Sequence, residues 1–533
     1  MKKVLVILIA LCLALSLVAC GGGATQQGSS TPAPANTQQP DKDAPPEQHA
    51  SETSQDAVSA RDTLTVAVTM DIGTLNSREM WPGDFKTLSR MYSEPLLDFY
   101  GNGDIRWILA TGIDEVSDSQ MIVHLREGVK FTNGSDFKAN DVMFSLQDYA
   151  WLFFRNIDME NSRILDDYTI ELNLTYYDNT MLYSLPLMGI IDEETFDAEK
   201  NATAPVGTGP YIVTDYVVAS YVKMTRNEDY WGTPAKIQNL EFKVLNEDSQ
   251  RVIALETKTA DTVSVPTQDL DYVKTIPGYE VSVREGDSAC SIFFNVTDMS
   301  CLNSTAARKA VAHAIDRQAI ANIVFFGYAA IPDWPLMTCC TDYDPSFANL
   351  DPVFSEGYNP ELAKKYAEEA GLFGKEIRII TDGTPNYVKM AELVEQYLKD
   401  IGLTTSITNY DASSFLVVRE NPETHDMWLG SLSHPGLSGA GAYQGNVRNT
   451  PYFWNYDWER SDEFKELSQA VVGINDKAEV KATLLKLTEM FSDCMLWYPI
   501  CQPDFQNAYD ADLGGVEFML LGGAYYNDWY WTK

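Results

Sequence analysis

Histidine, cysteine and carboxylate side chains carry most catalysis and metal binding, so their spacing is the first indicator of function. The chain has five histidines, and none of them stands in an HExxH zinc motif. The sequence also contains no CxxC pair, no GxSxG nucleophile elbow and no Walker A phosphate loop. We therefore predict a protein that is not an enzyme, with no catalytic residue, no resident metal site and no cofactor. The histidines are His49, His124, His313, His425 and His434.

Carboxylates leave one enzymatic alternative open. A glycoside hydrolase needs two carboxylates that are paired in space rather than along the chain. With 76 acidic residues, counting cannot exclude such a pair. An extracellular glycoside hydrolase is therefore kept as an alternative, and turnover of oligosaccharides would reveal it.

Cys20 lies in a sequence context that is typical of lipidated cysteines. Lys2 and Lys3 precede an apolar run from Val4 to Ala19, and this run is too short to span a bilayer of about 30 Å. The small residue Ala19 suits cleavage directly before the cysteine. The pattern predicts a lipoprotein signal peptide at 1–19 and an acylated Cys20 that tethers the chain to a membrane. A plain membrane anchor or a chance cysteine in a secretory signal is the alternative.

Residues 20–60 are predicted to form a disordered linker. They contain almost nothing apolar larger than alanine, so they cannot bury enough surface to offset the entropy of ordering. A linker of about 40 residues reaches about 35 Å.

Residues 61–533 exceed the size of one hydrophobic core, so two or three domains are expected. They contain no second long apolar stretch.

The charge excludes one class of partner. Removal of Lys2 and Lys3 leaves 37 basic against 76 acidic residues, a formal net charge of −39. Nucleic acid is therefore not expected to bind.

Six cysteines remain after Cys12 and Cys20, and they permit 15 pairings that sequence cannot choose among. Buried free thiols are expected, because a large core does not need disulfides.

Alternating helices and strands can be read directly from the sequence. Met121, Val123 and Leu125 alternate with polar residues as a half-buried strand, and Asn140 is a candidate N-cap for the following helix. Asn359 and Pro360 begin a helix that Gly371 ends. A further helix at 387–401 precedes a strand at 404–408. The pattern predicts an α/β protein, mixed α+β, with a mixed sheet flanked by helices.

Four blocks carry a family resemblance. They are HLREGVKFTNGSDFKANDVMFS from His124, PVGTGPYIVTDY from Pro205 with MTRNEDYWG from Met224, FFNVTDMSCLNSTAARKAVAHAIDRQAIANIVFFGYAA from Phe293, and YNPELAKKYAEEAGL from Tyr358. In this order they resemble the family 5 extracellular solute-binding proteins, the peptide, nickel and oligosaccharide receptors of ABC importers. The resemblance covers most of residues 62–505.

This resemblance implies a two-lobed periplasmic-binding-protein type II fold with an extra small domain and a hinge of two crossover segments. The implied hinge lies near Cys290 to Asn295 and near 500–506, and Cys290 and Cys501 are predicted to lie closer together than most cysteine pairs. A Cα separation well beyond 7 Å would exclude a disulfide between them. The implied boundaries are 61–98, 206–290 and 506–533 for lobe I, 99–205 for the extra domain and 291–505 for lobe II.

The resemblance also indicates a site in the stretch from His425 to Gly436. Peptide-binding relatives carry there an aspartate that pairs with the ligand's α-amino group, and this chain has no acidic residue from Met427 to Gly436. A buried ammonium needs a paired charge or several acceptors, which Ser431, Ser433 and His434 replace only in part. His434 is predicted to be a cleft donor or a metal-chelate ligand, and a surface loop histidine is the alternative.

Further ligand-binding candidates are one methionine, five aromatic residues and one amide beside the second crossover. Trp81 offers a flat stacking surface, whereas a core role competes for Trp151 and Phe154. These candidates are Met80, Trp81, Trp151, Phe154, Tyr452, Trp454 and Gln502.

The function implied is capture of a small solute, peptide-like by preference, and its delivery to ABC permease transmembrane subunits served by a separate ATPase. A metal-chelate or oligosaccharide receptor of the same fold, or a ligand sensor that does not transport, are the alternatives. The expected protein is a monomer, lipid-anchored through Cys20 on the extracytoplasmic side of the cell membrane.

Overall fold

The computed structural model describes residues 61–69, 73–79, 88–100, 103–149, 156–433, 437–449, 461–519 and 523–533. The predicted signal peptide, Cys20 and the predicted linker lie outside these ranges. None of the helices in these ranges has both the length and the apolar character that spanning a bilayer requires.

The strands are β1 Thr63–Val68, β2 Leu97–Phe99, β3 Ile105–Trp107, β4 Ala110–Ser117, β5 Gln120–Leu125, β6 Arg163–Asp166, β7 Thr169–Asn173, β8 Tyr211–Val217, β9 Tyr221–Arg226, β10 Asn239–Val244, β11 Thr262–Ser264, β12 Tyr279–Arg284, β13 Ser288–Phe294, β14 Ala329–Ala330, β15 Glu376–Thr381, β16 Thr404–Asn409, β17 Met427–Ser433, β18 Trp497–Pro503, β19 Phe505–Asp510, β20 Leu513–Gly514 and β21 Tyr530–Trp531. The helices are α1 Ala139–Tyr149, α2 Met181–Ser184, α3 Ala198–Asn201, α4 Asp248–Glu256, α5 Leu270–Val273, α6 Thr305–Ala314, α7 Arg317–Phe325, α8 Pro352–Glu356, α9 Pro360–Glu369, α10 Pro385–Asp400, α11 Ala412–Val418, α12 Gly439–Asn449, α13 Ser461–Ala470 and α14 Lys477–Cys494.

A seven-stranded sheet forms the first lobe, with the order β12-β19-β11-β1-β10-β9-β8. Strand β1 runs parallel to β10 and β11, whereas the other neighbours are antiparallel. Leu64 and Phe242 are buried beneath it. Three separate stretches of the chain contribute these strands, so the lobe is discontinuous in sequence.

A four-stranded antiparallel sheet, β4-β5-β7-β6, belongs to the extra domain. The predicted strand is confirmed as β5, and Met121, Val123 and Leu125 are buried. These residues share one hydrophobic cluster with Leu64 and Phe242. The extra domain therefore packs on the first lobe through a common core.

The predicted N-cap of α1 was wrong. Asn140 lies inside the helix, and its side-chain amide donates to Glu193 (2.8 Å). The Asp141 carboxylate instead accepts from the backbone N–H of Lys138, at 2.8 Å. This bond satisfies an amide directly before the helix, and α1 begins at Ala139, two residues before the first helical position that a cap at Asn140 predicts.

A six-stranded mixed sheet forms the second lobe, with the order β14-β18-β13-β17-β15-β16. Strand β15 is parallel to β16 and β17, whereas β13 is antiparallel to β17 and β18. Helix α9 begins as predicted, with Asn359 Oδ1 accepting from Leu362 N–H (3.1 Å), and Gly371 follows it at φ +61°. The cluster of buried residues around this sheet runs from Ala289 to Cys501.

The chain passes between the two large sheets at residues 285–287, between β12 and β13, and again at Asp504, between β18 and β19. A Cβ atom at Gly286 would lie 1.9 Å from the carbonyl oxygen of Pro503, so the two crossovers touch backbone to backbone. Gln502 Nε2 donates to Glu285 Oε1 (3.0 Å) and to the Gly286 carbonyl (2.8 Å). The hinge segments are therefore bonded to each other.

Candidate ligand-binding site

The strand ends of the second lobe create a polar edge beside the hinge. Strands β15 and β17 are parallel and end at Thr381 and Ser433. In open α/β sheets ligands bind outside the carboxyl ends of such strands. Along β17 the four residues from Met427 to Gly430 are buried, and Ser431 and Ser433 are then exposed. The end of β17 thus presents two hydroxyl groups.

Neighbouring groups extend this polar surface. Ser433 opposes Ser288, and Ser431 opposes Cys290 on β13. The Tyr387 side chain, from the first turn of α10, lies close enough to Cys290 and Ser431 for both to influence the pKa of its hydroxyl. Burial raises the pKa of Tyr387, so its hydroxyl is neutral at physiological pH. Hydroxyl groups of this kind both donate and accept hydrogen bonds, which suits a polar uncharged part of a ligand.

The chain that follows β17 is anchored again at Leu437. Its carbonyl accepts from the N–H of Thr341, at 2.7 Å. The Asp342 carboxylate then accepts from the N–H groups of Gly439 (2.5 Å) and Ala440 (3.0 Å) at the start of α12. These bonds satisfy the first N–H groups of α12. They also fix the start of α12 against the segment that carries Asp342.

The two lobes contact each other shortly after the end of β17 and again at the extra domain. Leu437 comes from the second lobe, yet it is buried in the hydrophobic cluster of the first lobe and extra domain. Cys339 packs against both clusters. On the extra domain, Asp118 accepts from Asn475 Nδ2 (3.0 Å). The strand ends of the second lobe therefore lie where the lobes contact each other.

Of the predicted site residues, Ser431, Ser433 and Gln502 lie within the described ranges. The serines are exposed at the edge, whereas Gln502 is fully buried, and its Oε1 accepts from Thr338 N–H (3.1 Å). This bonding gives Gln502 a structural part at the crossover, and a ligand contact for it stays a prediction. The other predicted ligand contacts, Met80, Trp81, Trp151, Phe154, His434, Tyr452 and Trp454, lie outside the described residues.

Of the predicted hinge residues, Cys290 and Cys501 lie within a few positions of the crossovers, whereas Asn295 lies at the opposite end of β13. Cys290 is in β13 and Cys501 in β18, and they are register partners. Asn295 follows β13, and its Nδ2 donates to the carbonyls of Pro422 and His425 (both 2.8 Å). It therefore fixes the turn before β17, while its part in hinge motion stays a prediction.

Sequence reasoning missed Tyr387 and Asp342. Tyr387 could have been found, because a helix start that follows a parallel strand lies at the ligand-binding edge of such sheets. Asp342 carries no local signal, since its partners are about a hundred positions away. Among the described residues, no group of three or more His, Cys, Asp or Glu side chains could hold a metal ion.

The protein has two α/β lobes, joined by two crossovers that are bonded to each other, and the lobes contact each other near a polar strand edge. This architecture is typical of proteins that bind a small molecule between their lobes. A model of the family described as bacterial extracellular solute-binding proteins, family 5 Middle, matches residues 105–452. The chain belongs to this family. The family consists of solute-binding proteins.

Individual relatives are similar over most of the chain. Heme-binding protein A of Haemophilus influenzae is 26% identical over 445 residues, covering 75% of this chain and 79% of that protein. The nickel-binding periplasmic protein of Escherichia coli is 25% identical over 390 residues, covering 67% and 72%. Di/tripeptide-binding protein 1 of Pseudomonas aeruginosa is 24% identical over 371 residues, covering 61% and 68%.

The fold is shared with solved structures. The ABC transporter substrate-binding protein CtaP of Listeria monocytogenes superposes with a TM-score of 0.76 at 18% identity, covering 89% of this chain and 100% of that chain. This likeness confirms the two-lobed type II fold with its extra domain.

Proposed function

We propose that this protein captures a short peptide, or a peptide-like solute of similar size, between its lobes and delivers it to the permease subunits of an ABC importer. The observation that carries the proposal is the polar edge at the end of β17, where Ser431 and Ser433 are exposed between contacting lobes. A protein of this design signals occupancy by closing, since ligand contacts to both lobes favour the closed state.

A peptide backbone suits this edge because it alternates N–H donors and C=O acceptors. The hydroxyls of Ser431 and Ser433 can satisfy either, and extended peptides commonly bind along strand edges. The similarity to a di/tripeptide-binding protein supports the same class of ligand. The formal net charge of −37 favours ligands with a positive group through the long-range field of the protein.

The location of the protein is part of the proposal. The family is extracellular, and an acylated Cys20 followed by a linker would hold a monomeric receptor at the membrane, within reach of its permease. Mass spectrometry of the N-terminal peptide from membranes tests this tether. A Cys20→Ala variant should move to the soluble or secreted fraction.

Ligand identity is tested on residues 61–533 purified without dialysis. Native mass spectrometry detects a bound solute, and denaturation releases it for identification. Thermal shifts with dipeptides, tripeptides, nickel–histidine and hemin then rank the classes, and about 2.7 kcal/mol of stabilisation is expected at a hundredfold excess over Kd. Stabilisation by hemin or nickel–histidine alone would overturn the peptide assignment.

The double variant Ser431→Ala/Ser433→Ala tests the site itself. Loss of two hydrogen bonds should weaken affinity for the stabilising peptide about tenfold or more. Ser355→Ala, an exposed serine on α8, is the matched control and should leave affinity unchanged. Equal affinities of the double variant and the control would place the ligand elsewhere.

A nickel chelate is the second candidate, favoured by the similarity to a nickel-binding periplasmic protein. His434 would then supply an imidazole to the complex. His434→Ala should lower affinity for nickel–histidine at least about tenfold, or 1.4 kcal/mol, and metal analysis of the purified protein would detect nickel.

A further inference from the structure

Cys290 and Cys501 form a pair that ligand binding does not account for. Both are free thiols, and both are buried. They are register partners on the antiparallel strands β13 and β18, and they are 211 positions apart in the chain. A break in register separates Cys290 from Ser291, so a bulge lies directly beside the pair.

The geometry of the pair suits a disulfide. Directly opposed residues on antiparallel strands have Cα atoms about 4.5–5.5 Å apart, within the range of about 4.4–6.8 Å that disulfides span. The two side chains are close enough that Cys290 is the main group raising the pKa of the Cys501 thiol. Side-chain rotation and a small local adjustment are therefore enough to join them, and the adjacent bulge provides local freedom.

The place of the pair links it to the hinge. Cys290 lies four positions after Gly286, and Cys501 lies three positions before Asp504, so each cysteine is just inside the second lobe at one crossover. A bond between them would join the two crossover strands covalently beside the point where the backbones touch.

We propose that Cys290 and Cys501 are a redox-responsive pair. On oxidation they form a disulfide that links the two crossover strands, β13 and β18, covalently. The oxidant is an extracytoplasmic disulfide of the glutathione or protein type. One cysteine thiolate attacks that disulfide and releases the first thiol of the oxidant. The second cysteine thiolate then attacks the mixed disulfide and releases the second thiol. Each cysteine loses one proton, and the two electrons pass to the oxidant.

The environment makes this reaction slow in the resting protein. The neighbouring Cys290 side chain, and then burial, raise the pKa of the Cys501 thiol, so the reactive thiolate is scarce. Oxidation therefore depends on local opening of β18. Once formed, the bond removes the Cys290 thiol from the Tyr387 hydroxyl, so the change reaches the edge that carries Ser431.

The other thiols have different surroundings. Cys339 and Cys340 are adjacent in the chain, and burial raises the pKa of Cys339 to about 12. Cys494 is buried at the end of α14, where its thiol donates to the carbonyl of Phe491 (3.3 Å). In the described part of the chain, Cys290 and Cys501 are the cysteines that face each other across a strand ladder.

The test compares residues 61–533 reduced with dithiothreitol and oxidised with glutathione disulfide, followed by alkylation, digestion and mass spectrometry. The oxidised protein should yield one peptide that links residues 290 and 501, with two fewer alkylated thiols. The Cys339→Ala/Cys340→Ala variant should form the same link, whereas Cys290→Ser/Cys501→Ser should not.

Thermal unfolding supplies an independent readout. Because the bond closes a long loop, oxidation should raise the unfolding midpoint by about 5 °C in the wild type and leave the double serine variant unchanged. Full alkylation of Cys290 and Cys501 after prolonged oxidation, or a link between other cysteines, would overturn the proposal. Neither readout requires a bound solute, so failure here is distinct from failure of the proposed function.

Discussion

Asn179 of the extra domain is hydrogen-bonded to Val471 of the second lobe. Its Nδ2 donates to the Val471 carbonyl (2.9 Å) and also to the Ile474 carbonyl (3.0 Å). The backbone N–H of the same residue donates to Val472 O at 2.8 Å. One asparagine thus bridges two parts of the molecule that are separated by about 290 positions in the chain, away from the covalent crossovers.

Asn179→Ala should shift the protein towards an open arrangement. Two side-chain hydrogen bonds contribute about 1–3 kcal/mol together, so the closed population should fall and affinity for the bound solute should drop about fivefold or more. Small-angle X-ray scattering should show a larger radius of gyration without solute. Asn161→Ala is the control, because Asn161 Nδ2 bonds locally to Asp158 (2.6 Å). Identical scattering of both variants would show that Asn179 does not hold the lobes together.

Glu94 predicts how stability depends on pH. Its buried carboxylate accepts from Tyr230 OH (2.6 Å) and Trp231 Nε1 (2.8 Å), yet burial raises its pKa to about 7. A raised carboxyl pKa stabilises the fold fully below the unfolded value of 4.5, and this stabilisation is lost as pH rises through 7. The loss should be about 3 kcal/mol.

Glu94→Gln removes this titration. Urea unfolding at pH 5 and pH 8 should therefore show a smaller difference for the variant than for the wild type. At pH 5 the buried Glu94 side chain is itself protonated and neutral, so glutamine should cost little there. At pH 8 the variant should be the more stable of the two proteins, because its amide carries no buried charge. Glu228→Gln, an exposed partner of Arg226, is the control and should keep the wild-type difference. A Glu94→Gln variant with the wild-type pH dependence would contradict the assignment.

Local elements could be predicted from the sequence because their signals are local. The alternation from Met121 to Leu125 and the cap at Asn359 depend on neighbours within four positions, and both are confirmed. The cap at Asn140 was wrong because the Asp141 carboxylate accepts from the N–H of Lys138, so the helix begins before Asn140.

The site could be predicted only in part. Ser431 and Ser433 came from a family resemblance, and their exposure depends on the register of β17 against β13. A register shift of one residue would turn both serines into the core, and sequence alone does not specify a partner strand 141 positions away. Asn179 acts through a contact that is even more distant in the chain, so no local pattern indicates it, whereas the helix start after parallel strand β15 is a local signal for Tyr387.

Asp98 is predicted to be essential for the core of the first lobe. It forms an ion pair with Arg90 (2.7 Å), both side chains are fully buried, and Tyr525 OH also donates to it at 2.9 Å. Asp98→Asn leaves a buried guanidinium without its carboxylate, which should cost about 3–5 kcal/mol of unfolding free energy. Urea unfolding monitored by fluorescence and circular dichroism measures this loss.

An exposed ion pair supplies the comparison. Asp528 pairs with Arg106 (2.7 Å), but its side chain is 45% exposed. Asp528→Asn should therefore cost at most about 1 kcal/mol. If both variants unfold at the same urea concentration, the buried pair contributes no more than the exposed one.

Gly286→Ala tests the contact between the crossovers. The added Cβ would lie 1.9 Å from the Pro503 carbonyl oxygen, and both partners are backbone, so no side chain can rotate away. The crossovers must separate, which weakens the bond from Gln502 Nε2 to the Gly286 carbonyl. We expect a loss of about 1–3 kcal/mol in stability together with weaker solute binding, because the hinge then no longer sets the lobe orientation. Gly112→Ala is the matched control, since a Cβ there meets nothing within 4 Å. Equal unfolding midpoints for the two alanine variants would mean that the crossovers tolerate separation and do not set the hinge.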